Sequence, residues 1–227
     1  MTAVSATPVR TTRHDLFPTT VMTFEHAEDA MNEEIARHFE THPRYARADQ
    51  AEQSDSLNLM DLVEEAPALA RLQGLFTDAL KAYCAAAGVS GGYNVAMQMF
   101  PNVAPARHYV PSHNHVAHIA AVYYVQTPPF ENRPLVDHAS SMTDYWRPEE
   151  GVLIFHDPRF NASLNGLWQS YARVYPRPGV LVMFPAFLWH EVTPHFSNSA
   201  RLSVAANFTL EARDSEAFQR SFAIELG

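Results

Sequence analysis

From Gly91 onward the chain breaks into short apolar runs: YNVAMQMF, HIAAVYYV, GVLIFHD, ARVYP, GVLVMFPAFLWHEV and RLSVAANFTL. Clusters of Pro, Asn, Asp and Gly separate them, the signature of a mainly antiparallel β sandwich or barrel. Before residue 90 the texture is helical. In EHAEDAMNEEIARHF, Ala27, Met31, Ile35 and Phe39 recur at four-residue spacing with acidic residues between them, the pattern of an amphipathic helix. A second helix is predicted from Pro67 to Ala87, with Leu69, Leu72, Phe76, Leu80 and Tyr83 on one stripe and Gly88 as its stop. Cys84 falls on that apolar helix as an inert core residue. The reading is α+β, mainly β: a barrel or jelly roll with helices packed on one outer face.

The stretch THPRYARADQAEQSDSLNLMD between the helices is polar and reads as loop. DLFPTTVMTF, ahead of the first helix, suits an edge strand because Pro18 would be poorly tolerated in a central one. Long polar segments, 128–150 and 160–169, are placed either to shape a pocket at a barrel mouth or to be disordered. The expected organisation is one domain over residues 1–227, with a helical N-terminal region over residues 1–90, a β core over residues 91–210 and a tail over residues 211–227.

Charge narrows the function classes. Sixteen Lys and Arg against 25 Asp and Glu give a formal charge of −9, which disfavours nucleic acid and anionic membrane surfaces as partners. One cysteine excludes an intrachain disulfide framework and a multi-cysteine zinc site. No stretch approaches the roughly 20 apolar residues of a membrane span, and the start lacks a signal-peptide core, so the expected location is cytoplasmic. Exposed β edges would allow a homodimer without requiring one.

Histidine carries the chemistry. Four of the 12 histidines, His108, His113, His115 and His118, lie within eleven residues. His113 and His115, two apart on a strand, point to one face and can reach one ion. In GVLVMFPAFLWHEV an apolar strand leads to His190, a polar residue in a buried setting that needs a partner. RLSVAANF then alternates, with Arg201, Ser203, Ala205 and Asn207 on one face. An inward-facing arginine needs an anion, and a carboxylate bound bidentately beside the Ser203 hydroxyl is the obvious candidate.

With these residues in view, the sequence resembles the Fe(II) and 2-oxoglutarate-dependent oxygenases. It is most similar to bacterial members with a His-x-His motif, a VYY strand, a Phe-x-Asp-Pro-Arg segment and a PG…FP…H…V…R-x-S tail. The matching residues are His113 and His115, Val122–Tyr124, Phe155 with Asp157–Arg159, Pro178–Gly179, Phe184–Pro185, His190, Val192, Arg201 and Ser203. The resemblance implies a double-stranded β-helix, the jelly-roll core shared with cupins. It also implies Fe(II) held between the His-x-His pair and His190, and 2-oxoglutarate as cosubstrate bound by Arg201 and Ser203. Molecular oxygen would be the oxidant, and a small-molecule or peptide substrate would be hydroxylated with release of succinate and CO2. Most of the superfamily has an acid two residues after the first histidine, and this chain has none after His113 or His115. Three ligand sets stay open: His113, His115 and His190; a set with Asp157 as the carboxylate; or His115 as the proximal ligand with Ala117 where the acid would stand. That last pattern is similar to the halogenating branch.

Other residues are weighed against plainer roles. Gln98 and Asn94 share a strand face, as pocket contacts or as structural amides. Tyr123 and Tyr124 alternate, so one is core and one can line the pocket, with Tyr123 carried as a candidate. Trp189 lies beside His190, while Trp146 and Trp168 read as packing. His118, His138, His156 and His195 default to surface or supporting roles, Asp157 and Arg159 to a turn at Pro158, and Glu191 to the face away from His190. The rival function is a cupin-type metal-binding protein, an isomerase or binding module, with no use for 2-oxoglutarate. Such a protein has no need of Arg201 and Ser203 eleven and thirteen residues after the distal histidine.

Overall fold

Two antiparallel sheets face each other, and two helices cover the outer side of the larger one. The computed structural model describes residues 17–41, 58–130, 133–137, 150–159, 171–212 and 221–226, with backbone only for 212 and 221–226. In chain order the elements are β1 (Met22–Glu25), α1 (Asp29–Thr41), a 3-10 turn (Leu59–Leu62), α2 (Pro67–Ala86), β2 (Gly91–Ala104), β3 (Val110–His113), β4 (Ile119–Gln126), β5 (Val136–Asp137), β6 (Leu153–His156), β7 (Tyr171–Val174), β8 (Val180–Pro185), β9 (His190–Val192), β10 (Arg201–Ala212) and β11 (Ser221–Leu226). The large sheet has the order β1-β8-β4-β10-β2-β11 and the small one β3-β9-β6-β7-β5. This is the jelly-roll α+β architecture expected from the sequence, mostly β with the helices on one face.

Strand alternation makes two cores. Val95, Met97 and Met99 of β2 and Val204, Ala206 and Phe208 of β10 pack outward on Ile35, Leu69, Leu72, Phe76 and Leu80 of the helices. Phe76 meets Phe208 edge to face, ring centroids 6.2 Å apart. Between the sheets a smaller cluster joins Ala120, Tyr124, Leu153, Phe155, Val182 and Phe184. All five stripe residues predicted for α2 are buried. Gly88, at φ 74, follows the helix as the expected left-handed stop. The first helix differs from expectation: it begins at Asp29, leaving Ala27 outside and exposed, because the preceding backbone continues the β1 pairing through His26. Asn32 takes a buried place instead and accepts a hydrogen bond from the Tyr123 hydroxyl at 2.8 Å.

Three strand features bear on the site. Pro101 lies within β2, where the other edge is free of β11, whose pairing ends at Ala96. Met99 N–H points off that edge to Asn58 Oδ1 at 3.2 Å, so the proline nitrogen two residues on interrupts no ladder. In β4 a bulge lets Gln126 face Leu202 and Tyr124 face Ser203, with Val125 the extra residue. The run GVLVMFPAFLWHEV, read as one segment, divides at a turn over 186–189 into β8 of the large sheet and β9 of the small sheet. The segment expected to be a tail supplies β11, which pairs with β2 from Gly91 to Ala96. Most of the polar stretches 41–61, 128–150 and 160–169, with His138, Trp146 and Trp168, lies outside the described residues.

Gly179 anchors the β1 edge. Its φ of 82 suits only glycine, its N–H donates to Tyr124 O, and its carbonyl accepts from His26 N–H, each at 2.9 Å. A Cβ there would run into the His26 carbonyl oxygen. Gly179→Ala is therefore expected to lower stability by at least ~2 kcal/mol. The measurement is a denaturant midpoint at unchanged slope, and an unmoved midpoint would show that β1 contributes nothing at this join.

Candidate functional site

Three imidazoles meet at one end of the inter-sheet space. Antiparallel pairing of β3 with β9 sets His113 directly opposite His190, and the loop after β3 returns His115 beside both. That loop is pinned by His115 N–H to Ala186 O at 2.9 Å and by Ala186 N–H to His118 O at 3.1 Å. One ring nitrogen of each of the three lies within 4.8 Å of the others. His113 Nδ1–H donates to Pro111 O at 2.7 Å and His190 Nδ1–H to Leu188 O at 2.9 Å. Those bonds leave both Nε2 atoms as lone pairs, the tautomer a metal ligand needs. His115 Nε2 stands 3.3 Å from His190 Nε2. Lone pairs so close repel unless a proton or a cation lies between them, so the donor set suits a metal that takes imidazole. Among the described residues no other group of His, Cys, Asp or Glu converges in this way.

His190 is 5% exposed, with its ring 4.9 Å from Phe184 and 6.1 Å from Phe155. Burial in this apolar wall, reinforced by His113, His115 and His156 nearby, pushes its pKa down to about 3 despite the Leu188 hydrogen bond. The free imidazole therefore stays neutral and ready to ligate at any ordinary pH.

The far end of the same interior is built from the start of β10. Arg201 is 4% exposed and Ser203 2%, both on the face turned toward the small sheet. Tyr124, turned to that face by alternation with Ala120 and Val122, pairs with Ser203 and has its pKa raised by burial to about 12. Arg201 Nε is buried without a hydrogen-bond partner, and burial lowers the pKa of the guanidinium. An orphaned charged donor of this kind costs ~1–3 kcal/mol or more and calls for an anion. His195, 1% exposed, anchors Nε2 on the carbonyl of Ala104, the cross-strand partner of Arg201, and its Nδ1 is likewise unpartnered. His108 sits close enough for Arg201 and His195 to add to the lowering that burial gives its pKa.

The remaining candidates fall into three places. The Asp157 carboxylate is outside the histidine group; Arg159 grips it through Nε at 2.9 Å and the backbone N–H at 2.9 Å, which holds its pKa low. Tyr123 is not brought to the site: alternation turns it to the helices and Asn32, while Tyr124 takes the inner side. Glu191 also points away, accepting from the Tyr109 hydroxyl at 2.7 Å and standing 3.6 Å from His156. Trp189 is half exposed beside His190. Gln98 opens into a cleft of about 250 Å³ that also holds Asn58, Ala117, Asn207 and Thr209; Asn94 lies on the same strand outside that lining. Sequence reading missed Tyr124, Asn207 and the deep position of His195. The first depended on which face of β4 turns inward, and the alternation of RLSVAANF already put Asn207 on the Arg201 face.

Residues 98–207 match the model of a protein family described as "Putative 2OG-Fe(II) oxygenase". Among solved structures, HygX from Streptomyces hygroscopicus, crystallised with nickel and 2-oxoglutarate bound, is 12% identical over 92% of this chain and 93% of its own, with a TM-score of 0.52. A Pseudomonas putida prolyl-4-hydroxylase is 19% identical over 83% of this chain and 87% of its own, with a TM-score of 0.44. The likeness to HygX shows a shared fold. None of the curated proteins matches the chain.

The depressed pKa of His190 has a stability consequence in the metal-free protein. The unfolded chain takes up a proton near pH 6.5 and the folded one only near pH 3. Stability is thus complete above the upper value and falls as pH drops through the interval, with a limiting slope of about 1.4 kcal/mol per unit for this one proton. Urea unfolding from pH 7 to 4 is expected to show a smaller slope in His190→Gln than in the unaltered chain. Identical slopes would mean that His190 takes up its proton without unfolding.

Proposed function

We propose, from the match of residues 98–207 to the 2OG-Fe(II) oxygenase family model, that this protein is a non-haem Fe(II)- and 2-oxoglutarate-dependent dioxygenase that hydroxylates a small-molecule or peptide substrate. The observation that carries the reading is the pairing of two features in one interior. Three imidazole nitrogens converge at one end, and a buried guanidinium with an unpartnered donor waits at the other. A dicarboxylate with a chelating keto acid at one end and a plain carboxylate at the other answers both.

In this reading His113, His115 and His190 hold the iron through Nε2, and the carbonyls of Pro111 and Leu188 fix two of the rings. Arg201 binds the far carboxylate with the Ser203 hydroxyl beside it. The Phe155, Phe184 and Leu153 side chains keep the space between the sheets dry. Bound there, iron and 2-oxoglutarate supply the oxidising chemistry: substrate C–H, O2 and 2-oxoglutarate become substrate C–OH, succinate and CO2. No side chain is required as acid or base; the protein's task is orientation and exclusion of water. The acidic balance of the chain supports a substrate other than nucleic acid. Among the described residues no helix is long and apolar enough to cross a membrane.

The test is anaerobic optical titration of the Fe(II)-loaded protein with 2-oxoglutarate, following the visible metal-to-ligand charge-transfer band of a chelate. His190→Ala is expected to lose iron. Arg201→Ala is expected to keep iron and to weaken 2-oxoglutarate by about 100-fold or more, since removing one partner of a buried charge pair costs ~2–5 kcal/mol. Iron without a band would move the assignment to a cupin-type metal protein. An unchanged 2-oxoglutarate affinity in Arg201→Ala would remove that residue from the cosubstrate site.

A further inference from the structure

We propose that the cleft at the metal end of the barrel binds the substrate through an uncharged amide group, clamped by the carboxamides of Gln98 and Asn207 with Asn58 beside them. The inference rests on the oxygenase reading and narrows its substrate to amide-bearing, uncharged molecules with a short aliphatic stem.

Register places the cleft at the level of the three histidines. Phe184 pairs with Ala120, Ala120 with Asn207, and Asn207 with Gln98, which makes one row across four strands. The Phe184 ring lies 4.9 Å from that of His190, and at ~4.8 Å per strand Asn207 is about 10 Å along the wall from Phe184. The small Ala120 keeps the intervening wall low. On the other side, Val116 and Ala117 line the same cleft and directly follow His115 in the chain. Arg201 and Ser203 lie on the same face of β10 at its far end. One strand thus carries the proposed carboxylate site at its start and the cleft from its middle onward.

The lining decides the chemistry. Asn58 Oδ1 is occupied, accepting from Met60 N–H at 3.1 Å and Met99 N–H at 3.2 Å, so its NH2 is what it offers a ligand. Among the described residues neither the Gln98 nor the Asn207 carboxamide is engaged by another protein group, although they are direct cross-strand neighbours. Each offers a donor and an acceptor side by side, the complement of an amide, which presents the same pair. No charged side chain among the described residues lines the cleft. A carboxylate or ammonium placed there would lose water without gaining a counter-ion. The apolar share of the wall, Met97, Ala117 and the wholly exposed Val116, fits an aliphatic stem.

The experiment compares three probes of one skeleton: N-acetyl-L-leucinamide, its carboxylate analogue N-acetyl-L-leucine and its ammonium analogue L-leucinamide. Each is given with 2-oxoglutarate and air to the iron-loaded protein, and succinate release is measured. The neutral probe is expected to raise the rate at least about tenfold more than either charged one. Gln98→Ala is expected to lose that response, and Asn207→Asp to move the preference to the ammonium probe. A charged probe that matches the neutral one overturns the amide assignment. So does silence from all three in protein that shows the 2-oxoglutarate band, and the oxygenase reading then stands. Iron-loaded protein with no band overturns the oxygenase reading and the amide assignment together.

Discussion

β10 begins buried on both faces, and the two-residue period of an extended chain obliges it to serve two interiors at once. Leu202, Val204, Ala206 and Phe208 fasten the helices to the large sheet, while Arg201, Ser203 and Asn207 face the small sheet. A slip of one residue would drive Phe208 into the site and Arg201 into the hydrocarbon layer under α2. Burial of the outer set therefore fixes the register of the inner set, and the helices, which carry no candidate ligand, hold the functional strand in place. β2 pairs with β10 along twelve residues, so Gln98 inherits its position from the same constraint.

The interior so defined tolerates what a stable core would not. Arg201 Nε and His195 Nδ1 are buried without partners, and His190 is buried among phenylalanines with its pKa down to about 3. Each feature costs stability in the empty protein. The bulge in β4 belongs with them: it interrupts a central ladder at the residues facing Leu202 and Ser203, just beyond Tyr124, which regular alternation has already turned inward. Packing on the helix side, where Tyr123, Phe76, Phe208, Ile35, Leu69, Leu72 and Leu80 are fully buried, is what lets the small cluster between the sheets carry these costs.

Patterns of local period were legible in the sequence. The α2 stripe, the alternation of RLSVAANF and the edge position of β1 required only neighbours along the chain. His113 and His115 could be paired with His190 from motif order, yet their meeting depends on β3 joining β9, a contact between residues far apart in sequence. What could not be read were features with no local signature. The four-residue β3 contains Pro111 and lacks an apolar run; the turn over 186–189 sends one apolar segment into two sheets; and which face of β4 turns inward, and with it the choice between Tyr123 and Tyr124, is set by pairing with distant β8 and β10. The start of α1 escaped for a similar reason, since His26 is committed to Gly179 across the sheet and cannot join the helix.

The proposed ligand set also bears on charge. A divalent cation held by three neutral imidazoles keeps its full charge, where a carboxylate ligand would halve it. At the other end Arg201 adds a further positive charge with no anion of its own among the described residues. With that cation bound, the interior would be locally positive at both ends inside a chain whose net charge is −9. At physiological salt the field of surface carboxylates fades within about 8 Å, whereas charges in the dry space between the sheets are screened far less. In the proposed holoprotein a small dianion would therefore be repelled weakly from outside and attracted strongly within, provided its two carboxylates reach both ends. Asp157, the one acid proposed near the metal, is neutralised by Arg159 outside the histidine group, which leaves that attraction undiminished.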